Sequence, residues 1–176
     1  VKLPKEYEWL NAEPTPRMLI EALKEYGVKE HPGDEDNPVI IGWAKETGLD
    51  RTYRDDLTPW CGLFMAVVAK RAGKSVPATP LWARSWANWG SATPLAMLGD
   101  VLVFTRRGGG GHVGIYVGED SSCYHVLGGN QQDMVCIVRL LKSRCIAVRR
   151  QYKTAVPSNV RRIYLEASGA ISVDER

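Results

Sequence analysis

A chain of 176 residues suffices for one domain with a sizeable core and is too short for two ordinary ones. Apolar residues make up 44% and charged residues 24%, which excludes a disordered chain, and no apolar run approaches the ~20 residues of a membrane span. The net charge of +3 conceals a split: residues 1–60 hold 8 Lys/Arg against 13 Asp/Glu, residues 61–176 hold 15 against 7, and no acid lies among the eight Lys/Arg between Asp133 and Glu166.

The first ninety residues repeat one local grammar. Thr15-Pro16, Asn37-Pro38, Thr58-Pro59 and Thr79-Pro80 each open a segment, and Gly27, Gly48, Gly73 and Gly90 close them. A capping side chain, Pro at the first helical position and Gly just past the end predict four short helices. Their interiors carry helical stripes: Leu19, Ala22, Leu23 and Tyr26; Phe64, Val67 and Val68; Trp82, Trp86 and Trp89. The tryptophans could stack sugar rings, but the spacing favours core packing.

From Gly99 the period changes. Strands are predicted at 101–104, 112–117, 122–127, 134–140 and 144–149. Residues 161–175 read as a hairpin about Ala167-Ser168-Gly169 or a loose tail. Helices followed by strands predict an α+β domain, with helices on one side of an antiparallel sheet. Arg106 to Gly111 lacks the pattern of a phosphate loop and reads as a hairpin tip.

Cys61 falls in the first turn of its helix, where unsatisfied N–H groups and partial positive charge favour a thiolate. His112 begins a strand after four glycines, on the face opposite Val113 and Ile115, and supplies a base for that thiol. A third group would orient the imidazole. With a turn centred on Asp120, residue 112 lies opposite 128 and Asn130 is its diagonal neighbour; a change of one residue in the turn favours Gln131 instead. Under the centred turn His125 falls on the other face, as a packed or surface residue. Cys…His…Asn is the chain order of papain-like proteases. Tyr53, and Trp60 beside the cysteine, are further candidates for oxyanion or substrate contacts.

Cys61, Cys123, Cys136 and Cys145 lack CxxC spacing, so four free thiols and no zinc site are expected. Glu30 with Gly33-Asp-Glu-Asp36 does not match an EF-hand loop and reads as a solvated acidic turn. No metal or cofactor is expected. The basic stretch 139–162 invites a nucleic-acid reading, yet it has no recognition motif and few aromatics, so no nucleic-acid partner is expected. Val-Lys-Leu-Pro-Lys-Glu has no apolar signal core, so synthesis in the cytoplasm without a signal peptide is expected.

Six motifs occur in order: Glu30-His-Pro-Gly with Asn37-Pro-Val-Ile; Thr58-Pro-Trp-Cys61-Gly-Leu-Phe; Ser85-Trp-Ala-Asn-Trp-Gly90; Gly99-Asp-Val-Leu-Val-Phe104; Gly111-His-Val-Gly-Ile-Tyr116; and Leu127-Gly-Gly-Asn-Gln131. Together they resemble the NlpC/CHAP superfamily of papain-like peptidoglycan hydrolases, in particular a phage-associated cell-wall peptidase subgroup, from about residue 15 to 150. The resemblance implies a papain-like NlpC/CHAP fold in a catalytic domain 1–152, followed by an extension 153–176 that it does not cover. It implies Cys61 as nucleophile, His112 as base and a polar residue after the next strand as orienter. Many CHAP enzymes carry Glu two residues before the Asn; the equivalent here is Gly128, so Asn130 and Gln131 both stand as orienter. The implied activity is cleavage of an amide bond in peptidoglycan by a monomeric amidase or endopeptidase. It would reach the wall as an endolysin after holin release, as a phage tail lysin, or as an injected antibacterial effector. An inactive wall-binding module is the alternative from another class.

Overall fold

The computed structural model describes residues 1–54, 58–173 and 175. Among them, three α-helices, α1 (Arg17–Lys24), α2 (Pro38–Thr47) and α3 (Cys61–Arg71), precede a sheet of six strands. The strands are β1 (Ser91–Ala92), β2 (Val101–Thr105), β3 (Gly111–Glu119), β4 (Cys123–Gln131), β5 (Met134–Leu141) and β6 (Cys145–Arg150), in the order β1-β6-β2-β3-β4-β5. Every pairing is antiparallel. The α+β expectation therefore holds, and the five predicted strands are present.

Capping chemistry explains α2 fully. The Asn37 side chain accepts from Val39 N–H at 2.8 Å, Pro38 takes the first position, and Gly48 ends the helix in the left-handed region at φ 73°. The same grammar fails at Thr79-Pro80, where the chain forms only a 3₁₀ turn, Ala83–Asn88. That turn docks Trp86 and Trp89 into the core, their rings 5.7 Å apart, and leaves Trp82 exposed, so the predicted three-tryptophan stripe is split. Helix α3 is buried at every residue from Cys61 to Ala69. A helix apolar on all sides is a central one, and α3 packs among α1, α2, β3 and β4.

The two sheet faces follow the strand period of two. Val101, Val103, Val113, Ile115, Val117 and Leu127 join the helices in one core. Leu102, Phe104, Tyr116, Val126, Val138 and Leu140 form a second cluster on the other face. Residues 161–173 are neither a hairpin nor loose. They run along the sheet through parallel bridges from Tyr164 to Glu119 and from Ile171 to Arg139.

The basic stretch is largely neutralised from elsewhere in the chain. Arg139 pairs with Asp120, Lys142 and Arg162 with Glu119, Arg144 with Glu175, Arg150 with Asp100, and Arg161 with Glu13, all at 2.7–2.9 Å. Arg149 donates to the carbonyls of Trp89 and Gly90. The charge split read from the sequence is thus mostly an internal ion-pair web rather than an anion-binding surface. Among the described residues no helix is long and apolar enough to cross a membrane.

Candidate active site

Cys61 is the first residue of α3, two positions nearer the helix start than the Thr58-Pro59 grammar predicts, because Trp60 (φ −121°, ψ 17°) is the last non-helical residue. The Trp60 side chain caps nothing. The first-turn N–H groups are orphan donors by the geometry of a helix start. Burial alone would push the Cys61 thiol up. The hydrogen bond and charge of His112, with the N–H groups of Val113 and Gly62, outweigh burial and hold the thiol below its ordinary range. His112 mirrors this. Burial would lower the imidazole, but its hydrogen bond to Cys61 and the thiolate charge raise it, with smaller contributions from Glu175 and Gln131. Both shifts favour a thiolate–imidazolium pair.

Gln131 orients the ring. Its side-chain Nε2 donates to the carbonyls of Val126 at 3.0 Å and Cys136 at 2.6 Å. With the amide nitrogen held there, Oε1 faces His112 Nε2 at 2.8 Å. A carboxamide oxygen only accepts, so Nε2 of the imidazole carries the hydrogen. Apart from the thiol, Nδ1 has no hydrogen-bond partner among the described residues and is the nitrogen left to exchange a proton with it. Cys61 is 4% exposed, while His112 and Gln131 are fully buried.

Asn130, the other candidate orienter, does not bond the ring. Two irregularities decide this. A bulge between Tyr116 and Gly118 pairs Ile115 with Leu127, two residues away from the register of a centred turn. A shift of two keeps the same face, so it alone would leave Asn130 beside His112. The second irregularity lies between Gly128 and Gln131, where Asn130 adopts φ 57°. This left-handed residue turns the strand and swings Gln131 onto the ring. Gly128 makes the room: a Cβ there would lie 2.7 Å from Gln131 Oε1 and 3.5 Å from His112 Nε2.

Two other candidates have structural roles. Trp60 is fully buried, tilted against Trp43 at 5.8 Å, and its Nε1 donates to Glu30 Oε2 at 2.9 Å. It is therefore no substrate surface, and Glu30 is an anchor rather than part of a solvated turn. Tyr53 is buried, with its hydroxyl donating to the Thr58 carbonyl at 3.3 Å, which braces the approach to Cys61 instead of facing an oxyanion. All four cysteines are free. Among the described residues no group of three His, Cys, Asp or Glu is placed to hold a metal.

A second buried histidine network escaped sequence reasoning. Tyr7 hydroxyl meets His125 Nδ1 at 2.7 Å, and His125 Nε2 meets Asp120 Oδ2 at 2.8 Å. Arg139 Nε also donates to Asp120 Oδ2. The only available signal was Asp120 at a turn five residues before a strand histidine. Tyr7 comes from a 3₁₀ turn, Lys5–Ala12, whose start has no capping side chain.

No protein-family model, curated protein or solved structure matches the chain.

Proposed function

We propose that the chain is a papain-like cysteine hydrolase of NlpC/CHAP type that cleaves an amide bond in peptidoglycan. One observation carries the chemistry: a helix-start thiol held below its ordinary range by an imidazole whose far nitrogen is fixed by Gln131. The order of helices and antiparallel strands around that pair is compatible with the papain-like fold, and the motif resemblance supplies the wall as target.

In this reading the Cys61 thiolate attacks the amide carbonyl carbon. The oxyanion accepts from N–H groups of the first turn of α3. The leaving amine takes the proton from His112 Nδ1, and a thioester remains on Cys61. Water then gives a proton to Nδ1 and attacks the thioester, which releases the acid and restores the pair. Gln131 keeps the ring in one tautomer through both halves. The protein would act as a phage endolysin or tail lysin, or as an injected effector.

The test uses purified sacculi. The wild-type protein should solubilise them and Cys61→Ala should not, with circular dichroism unchanged. Mass spectrometry of the fragments identifies the bond: new N-acetylmuramoyl ends mean amidase, free stem-peptide ends mean endopeptidase. Lysis by Cys61→Ala would end the thiol mechanism.

A further inference from the structure

The ion-pair web leaves one gap. Of the cations between Asp133 and Glu166, Lys153 alone has neither an acid nor a carbonyl partner among the described residues. Together with Arg17, Lys74, Gln151 and Tyr152 it lines a cavity of about 350 Å³, and no acid lines that cavity.

Lys74 is placed by contacts that leave its charge uncompensated. Gly73, at φ 73°, turns the chain at the end of α3, and the N–H groups of Ala72, Lys74 and Gly73 take the carbonyls of Val68, Ala69 and Lys70. Three of the last four helix carbonyls are thereby satisfied. Past the turn, Lys74 Nζ donates to the Gln151 carbonyl and lies 4.2 Å from the centroid of the Tyr152 ring. A carbonyl dipole and a ring face hold an ammonium in place without neutralising it. Burial and the charge of Lys153 both push this ammonium below its ordinary range. Arg17 joins from the start of α1. Its only acid contact among the described residues is Glu21 at 4.0 Å, and Lys24 already holds Glu21 at 3.1 Å.

Three cations thus line one hollow with no carboxylate among them. An oxyanion seated there would remove their repulsion and accept from each. The guanidinium fork matches two oxygens of a phosphate, and each ammonium takes a single oxygen. A lone carboxylate offers one charge to three cations; a phosphate or pyrophosphate group comes nearer to balance.

We propose that the cavity between the end of α3 and the segment after β6 is an anion site for a phosphate or pyrophosphate group. At 1.5 Å per residue, α3 sets it roughly 15 Å along the helix axis from Cys61. The site is therefore separate from the thiol centre and does not depend on the hydrolase reading.

The test titrates the wild-type chain with sodium pyrophosphate at low ionic strength, followed by calorimetry and by backbone amide NMR shifts. Saturable binding is expected, with shifts centred on Gly73, Lys74 and Lys153. Phosphate should bind more weakly and acetate not at all. Lys153→Gln and Arg17→Gln change exposed side chains and should leave the fold intact. Each should weaken pyrophosphate affinity about tenfold, the loss expected for one charge-assisted contact. Lys5→Gln removes a charge that does not line the cavity and should keep affinity within about twofold. The proposal is overturned by an absence of saturable pyrophosphate binding, by shifts confined to Arg106–Gly111, or by equal losses in Lys153→Gln and Lys5→Gln.

Discussion

His112 and His125 occupy different stretches of the same pair of strands, β3 and β4, and both are buried between two polar side chains. Their environments push them in opposite directions. His125 has a carboxylate partner, the arrangement usually associated with a strong base, yet burial holds it below its ordinary value. Asp120 is already committed: Arg139 first, then His125 and the N–H groups of Ser122 and Cys123, hold it well below the usual carboxylate range. Its charge is largely spent on the guanidinium. His112 has only a neutral carboxamide on one side, but on the other it meets a thiol able to surrender its proton. The far nitrogen sets orientation; the near partner decides whether there is chemistry.

The largest expected effect breaks the reactive network. His112→Ala should reduce sacculus lysis by about a thousandfold or more, as removal of one member of a nucleophile–base unit does. It should also reverse the thiol. Without the imidazole the burial remains, so the pH at which iodoacetamide modifies Cys61 should move from below to above the ordinary thiol range. Asp120→Asn tests the structural network. It leaves Arg139 and His125 facing an uncharged group in a buried setting, and should cost ~3 kcal/mol in urea unfolding while lysis per folded molecule is retained. A large loss of lysis at unchanged stability would make the second network functional.

Gln131→Ala should lower kcat roughly thirtyfold, because the ring loses its orienter while keeping the thiol. Gln131→Glu sharpens the point. A carboxylate would bond His112 well, but it cannot donate to the Val126 and Cys136 carbonyls, so it should destabilise the protein by ~2 kcal/mol. The smallest effect is a pH slope. The folded value of His125 lies below its unfolded value of about 6.5. Its contribution to stability is complete above that pH and declines as pH falls toward the folded value. The His112 shift has the opposite sign, so the measurable quantity is the difference: the urea midpoint of His125→Gln should fall less between pH 7.5 and 5.5 than that of the wild type.

Most of this was legible where a local rule acts alone. Asn37, Pro38 and Gly48 specify α2 without help from the rest of the chain. The alternation of Val113, Ile115 and Val117 fixes the β3 faces. Cys61 and His112 follow from position. What failed depends on contacts distant in sequence. The Thr79-Pro80 signal is overridden because Trp86 and Trp89 are pulled into the core as a 3₁₀ turn. The choice between Asn130 and Gln131 stays open in the sequence because it turns on a break in the strand, which a left-handed Asn130 supplies. Tyr7 and His125 meet across 118 residues, which no spacing rule reaches.

The ion-pair web has a consequence for how the chain folds. Arg161 reaches Glu13 across 148 residues and Arg150 reaches Asp100 across 50. Contacts so distant in sequence form only after most of the loop-closure entropy has been lost. Until then the eight Lys/Arg between Asp133 and Glu166 repel one another. Strand β6 and the segment after it should therefore lock last. Moderate salt, by screening that repulsion, should speed this late refolding phase even though it weakens the finished pairs.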